Sequence, residues 1–491
     1  MTTTERARRV IYNSGMLTLA NGLEALLSVV FVAFVARYLG KEGFGTYGFV
    51  VSLAQVFVVA GQMGLPRILV REVSREREQT AQYLGNAVSL ILLTMSVGLL
   101  AATVLTSLIG PHVEAVLAMI TYFLSEAILA VALLGYSVFR AYERMEYQAV
   151  ISVLGQTLKV VFAVLFIYLD LGLVALFLAM CVANACRLLL VQYVLYKKHL
   201  ISGPRWSFPL IEYLFLSALP VGASFLLRSC AWQGTVVVLT MIRGEPEAGL
   251  VYGPLRVVDQ FRILPYALAS SLLPVLSQQS ISHRTAFLST LQGALKGALV
   301  CGLLIALAVS TLADPIVLLL FGSQFSQSAG ALRLLGWATL FTFPNILIGA
   351  ALVAVDKPGA ETICLGIALV ATLLVSVVLI PEHGFLAVCY AILLGEASFF
   401  ALSFLYIWHR TSLAGAPEAV LKILAAGALA GGFIHINHSY NVYAVLVLGL
   451  LVLLGCLLLA HVFSEAETQF VKRLLSTLYR KLQQGRSAKR G

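Results

Sequence analysis

Charge is what this sequence has least of. Asp, Glu, Lys and Arg make up 11% of its 491 residues, while 60% are hydrophobic. Soluble domains carry roughly 25% charged residues, so this chain cannot cover its own surface in water. The period-two alternation of a lipid-embedded barrel is missing too. Cysteine pairs are missing as well. Cys181, Cys186, Cys230, Cys301, Cys364, Cys389 and Cys456 all fall in apolar stretches with no CxxC spacing. They read as small buried hydrophobes and exclude a disulfide framework or thiolate metal site. No Walker loop occurs, so the chain is not expected to hydrolyse ATP, and no cofactor or metal is expected. The net charge of +10 lies in the connections between apolar runs. That argues against nucleic acid and for loop Lys and Arg that orient a membrane protein.

What is present is a series of apolar runs of about 20 residues, the length of a helix crossing a ~30 Å hydrocarbon core. They predict an all-α polytopic protein with spans near 11–36, 44–66, 84–109, 114–139, 149–169, 172–196, 213–241, 248–276, 288–313, 327–355, 359–380, 384–408, 420–436 and 441–463. The apolar segment 316–321 leaves the ninth boundary open. With the N-terminus in the cytoplasm, only Arg37, Lys41 and Arg243 fall in connections on the opposite side. Fourteen spans with both ends inside fit that asymmetry.

The two halves repeat weakly. Gly40 and Gly45 match Gly244 and Gly249, Tyr47-Gly48 matches Tyr252-Gly253, and Asp170-Leu171-Gly172 resembles Glu382-His383-Gly384. An offset of six spans gives both halves one orientation, the parallel repeat of many transporters, whose sites lie at the repeat interface. The expected units are a six-helix bundle at 1–208, a second at 209–410, two further helices at 411–463 and a basic tail at 464–491. In the tail, Val471, Leu474, Leu475, Leu478 and Leu482 interleave with Lys472, Arg473, Arg480 and Lys481. That spacing fits an amphipathic helix on an anionic leaflet or a plain solvated tail.

Charges within spans carry the most information, since a mid-helix Arg, Lys or Asp costs about 2.5–3.5 kcal/mol on the insertion scale. The eighth span holds Arg256, Asp259 and Arg262 on one side, at i, i+3 and i+6, between Pro254 and Pro265. They are either a binding cluster or a structural ladder of ion pairs. Arg228 in the seventh span and Glu24 in the first are repeat mates. They are expected to pair across a cleft as a gate, or Glu24 to carry a proton. Lys296, Arg333, Lys159 and Arg187 are weaker cavity candidates, with Glu126 a partner for the last two; snorkelling or local pairing is the favoured reading of them. Glu396 stands alone in the twelfth span. Pro66, Pro220, Pro254, Pro265 and Pro344 are expected bend points, and His435 and His438 read as interfacial.

The stretch ARYLGKEGFGTYG at 36–48, followed by LPRILVREVSRER at 65–77, resembles the opening of polysaccharide-biosynthesis proteins. These are the O-antigen (Wzx-like) flippase branch of the multidrug/oligosaccharidyl-lipid/polysaccharide exporter superfamily. The resemblance implies two bundles in a V around a central cavity, with the first and second spans facing the seventh and eighth. It implies alternating access that moves an undecaprenyl-diphosphate-linked oligosaccharide to the outer leaflet of a bacterial-type inner membrane. It implies a non-enzyme whose partners are an anionic lipid-linked glycan, membrane lipids and polysaccharide-assembly proteins, and no nucleic acid. Guanidinium groups at Arg256, Arg262 and Arg228 suit a diphosphate because they stay charged and bond bidentately. Asp259 would hold their rotamers. The alternatives are a drug or cation antiporter of the same superfamily and a membrane component or enzyme of glycan assembly.

Overall fold

The computed structural model describes residues 3–109, 113–198, 206–282, 284–411, 416–437 and 440–462. The basic tail and His438 lie outside them. Sixteen α-helices follow in order: α1 (Thr3–Gln62), α2 (Leu65–Arg75), α3 (Thr80–Ile109), α4 (Val113–Ala141), α5 (Met145–Tyr168), α6 (Gly172–Lys197), α7 (Phe208–Arg243), α8 (Glu245–Gln260), α9 (Ile263–Ser282), α10 (Arg284–Thr311), α11 (Ala313–Phe321), α12 (Ser328–Ala354), α13 (Pro358–His383), α14 (Phe385–Thr411), α15 (Ala416–Ile436) and α16 (Val442–Leu459). Twelve stretches are long and apolar enough to cross a membrane. The first contains both limbs of α1, bent at Gly40. Helices α8 and α9 add one more crossing in two pieces, so the described residues make fourteen. The protein is a multi-pass membrane protein whose backbone polar groups are satisfied within helices, as lipid demands.

Gly40 bends α1 with φ 65° and ψ −172°, a conformation open essentially to glycine alone. Gly244 makes the same turn, φ 86° and ψ 179°, between α7 and α8. The residues aligned by the sequence repeat therefore do the same backbone work in each half. Three elements add detail to the sequence reading. Residues 65–75 form a helix, where a span end and loop were expected. Gly64 (φ 73°) starts it, and Pro66 sits in its first turn, where a missing N–H is harmless, so Pro66 opens a helix instead of bending one. Segment 316–321 belongs to a separate short helix, α11, which ends at Gly322. The eighth span is broken at Phe261–Arg262, just before Pro265, whose ring and missing donor oppose continuing the helix from α8. By contrast α7, α8 and α12 run unbroken through Pro220, Pro254 and Pro344.

Helices α1 and α3–α6 pack among themselves, as do α7–α10 and α12–α14. The main contacts between these groups run from α1 to α7 and α8. Gly45 lies against the backbone of Glu245, and Gly249 against the backbone carbonyl of Lys41. Those two contacts are the same contact with the repeat partners exchanged, the signature of a two-fold relation between the halves. Neither glycine leaves room for a Cβ. Beside this crossing, Phe44 meets Tyr252 at 5.6 Å and Phe325 at 5.7 Å between ring centroids, and Tyr47 meets Tyr252 at 5.7 Å and Phe177 at 5.3 Å. Arg37 straps the same end: its Nε and Nη2 donate to the carbonyls of Leu320 (2.9 Å) and Leu319 (2.5 Å), at the C-terminus of α11. Those carbonyls have no intrahelical donor and carry the negative end of the helix dipole, so a cation suits them. The halves are thus sealed at the Gly40 end by backbone contact, aromatic packing and one arginine.

Candidate functional site

Below that seal, between the second limb of α1, α7 and the α8–α9 break, lies a cavity of about 380 Å³. Arg228, Arg256, Asp259 and Arg262 all line it, with Gln55, Gln233 and Gln260 among the other polar groups. The four residues picked out by sequence therefore share one space. Helix α8 sets the spacing of Arg256 and Asp259, and the break places Arg262 just beyond its end.

Each arginine is held differently. Arg256 donates from Nε to the Tyr252 hydroxyl (2.7 Å) and lies over that ring, 4.8 Å from its centroid. Tyr252 is itself part of the aromatic seal, so the seal touches a residue that lines the cavity. Arg262 bonds through Nη1 to Asp259 Oδ1 at 3.1 Å and stacks 4.7 Å from the Trp232 centroid. Its Nε and Nη2 are buried and make no protein hydrogen bond. Buried charged donors left unmatched are costly, and here they are two N–H groups of one planar fork. Arg228 faces Glu361 at 3.7 Å.

The expected pairing of Glu24 with Arg228 is not formed. Glu24 lies 3.8 Å from Arg187 in its own half, and Arg228 takes Glu361 in the other. Each charge found a partner on a neighbouring helix of its own bundle, at less cost than bridging a cavity. Glu396 does not stand alone: it accepts hydrogen bonds from Trp232 Nε1 (2.8 Å) and Asn345 Nδ2 (2.7 Å). None of Lys296, Arg333, Lys159 or Glu126 lines the cavity. Lys159 lies 4.5 Å from the Phe31 ring centroid in the first half, Glu126 is buried on α4, and Arg333, near the start of α12, pairs with Asp314 at the start of α11. Arg187 takes Glu24 in place of the expected Glu126.

Sequence reasoning missed Glu361 and Trp232, and met Tyr252 only as a repeat match. Glu361 lies 202 residues after Lys159, close to the repeat offset, and that correspondence was the available signal. Trp232 gave none, because most rings in such a chain face lipid or core.

A helical bundle of fourteen crossings, closed at one end over a cavity lined by buried charges, defines a polytopic membrane protein of the two-lobed exporter fold. The family model for polysaccharide biosynthesis protein matches residues 10–280, and the chain belongs to that family. It is 23% identical over 477 residues to the probable low-salt glycan biosynthesis flippase Agl15 of Haloferax volcanii, covering 94% of this chain and 98% of that one. It is 28% identical over 342 residues to the succinoglycan biosynthesis transport protein ExoT of Rhizobium meliloti, covering 68% and 67%. The fold is similar to that of the lipid II flippase MurJ in an inward closed conformation, with a TM-score of 0.67 and 14% identity over 90% of this chain and 97% of that one.

Proposed function

We propose that this protein carries a lipid-linked glycan with an anionic head across a cytoplasmic membrane by alternating access, and catalyses no covalent step. The observation that carries the reading is the cavity in which Arg228, Arg256 and Arg262 meet Asp259. Glu361 offsets Arg228, and Asp259 offsets one more charge, so a positive surplus remains. In a low-dielectric cavity that surplus favours an anion. Arg262 leaves two buried N–H groups without a protein partner, and Arg256 lines the same cavity as a second guanidinium. The names of the matched relatives, a glycan flippase and a polysaccharide transport protein, point the same way. An undecaprenyl diphosphate is the carrier that the arginines and a bacterial-type inner membrane suit.

In this reading the units 1–208 and 209–410 are the moving lobes, and both termini face the cytoplasm. The Gly40 end is then the outer end, and its seal must open to release cargo. Tyr252 and Arg256 stand one turn apart on α8, so their hydrogen bond travels with that helix when the seal opens.

The test is binding of undecaprenyl diphosphate to the purified protein. Charge-assisted hydrogen bonds contribute about 1.5–3 kcal/mol each, so Arg262→Ala is expected to weaken binding about tenfold or more. Arg262→Lys is expected to restore only part, because an ammonium lacks the fork. Unchanged binding in Arg256→Ala/Arg262→Ala would remove the cavity from the account.

A further inference from the structure

A larger cavity, about 540 Å³, lies elsewhere: between α10–α12 and the last two helices, α15 and α16. It adjoins the end of α10 (Thr311), the start of α11 (Asp314), the last turn of α15 (His435) and the first turn of α16 (Val442). All of these are helix ends on one side of the molecule. It is the Gly40 side, because Arg37 reaches the other end of the short helix α11. Exposed Tyr440 and Tyr443 flank the α15–α16 turn, as aromatic residues do at the level of lipid headgroups. The cavity therefore sits at the membrane interface.

Its lining is divided. Leu307, Ile434, Val442 and Val445 give an apolar wall; Asp314 and Arg333 give an ion pair. That pair joins one guanidinium nitrogen, Nη2, to Oδ2 alone. The remaining N–H groups of Arg333 and the Oδ1 of Asp314 are open to a ligand. The two charges cancel, so neither a simple anion nor a simple cation is favoured. A head carrying both charges is favoured, its phosphate on Arg333 and its ammonium on Asp314. The apolar wall suits the chains below such a head.

Deeper in the membrane, α15 touches α10 closely, with Gly427 against Leu303. Towards the interface the helices leave this gap, rimmed by Gly431 and Trp337. We infer that the cavity is a binding site for a zwitterionic phospholipid, which completes the contact between the C-terminal helix pair and the second bundle. The site is separate from the central cavity and does not depend on what that cavity carries.

The experiment measures lipid retention and thermal stability of the purified, delipidated full chain. The probes are phosphatidylethanolamine, phosphatidylglycerol of the same acyl chains, and soluble glycerophosphoethanolamine. The expected result is at least fivefold tighter retention of phosphatidylethanolamine than of phosphatidylglycerol, with a matching rise in Tm. The soluble head alone should bind at least tenfold more weakly than the lipid. The double variant Asp314→Asn/Arg333→Gln should lose the preference. Equal retention of the two lipids by the unaltered protein, undiminished preference in a folded double variant, or a soluble head binding as well as the lipid would each overturn the site. The wild-type comparison decides the matter even where the variant does not fold.

Discussion

Arg262 concentrates the chemistry of the central cavity because two neighbours, Asp259 and Trp232, fix it and two of its donors remain unmatched. Trp232 links it to the Glu396 carboxylate, presenting a face to the guanidinium and its N–H to the acid. Trp232→Phe keeps the ring but leaves a 7%-exposed carboxylate short of a donor. The expected cost is about 1–3 kcal/mol of stability, read as a lowered Tm, with transport retained by the protein that folds. A transport loss as large as that of Arg262→Ala, at unchanged Tm, would contradict this division of labour. At this scale the sequence was informative about charges and silent about their partners. Arg256, Asp259 and Arg262 stood out because one helix face sets their spacing and lipid makes their cost plain. Glu24 and Arg228 were paired wrongly because a repeat offset tells which residues are equivalent, not which of them touch. Local neighbours, Arg187 and Glu361, took the charges instead.

Among the elements, the crossing of α1 and α8 is the tightest constraint. Glycine at 45, 48 and 249 lets backbone meet backbone or ring, and a Cβ at 48 would press into the Tyr252 ring. Gly48→Val is therefore expected to wedge the Gly40 end open. A cysteine placed at Thr46, whose hydroxyl bonds Glu245 across the halves, should react faster with a membrane-impermeant thiol reagent in that background. An unchanged rate would mean the crossing is not the seal. The α8–α9 break makes a second prediction. Pro265→Ala restores a donor and removes a clash, which favours a continuous helix. The protein should become equally or more stable while transport falls, because Arg262 would be carried around with the straightened helix. Most of these elements were legible as apolar runs. Pro265 marked a bend in the eighth span, while α2 was not legible, because a three- to four-residue apolar spacing in an arginine-rich stretch looks like a loop until its buried face is seen.

For the molecule as a whole, the repeat and the charge asymmetry led to two bundles of one orientation, and the reciprocal contacts of Gly45 and Gly249 give that relation a physical form. The cavity's place was legible as the repeat interface; its volume and its glutamines were not, since they depend on how far the lobes stand apart. If the termini are cytoplasmic, cysteines substituted for Lys41 and Arg243 should be labelled from outside intact cells, and those at Arg75 and Lys357 only after permeabilisation. The opposite pattern would invert the transport direction. The central claim concerns movement of cargo, and it is tested most directly in cells lacking this protein, by measuring how much lipid-linked glycan is exposed on each face of the membrane. Accumulation on the cytoplasmic face, relieved by the wild-type chain and not by Arg256→Ala/Arg262→Ala, is the predicted result; full outward exposure without the protein, in cells with no second flippase, would contradict it.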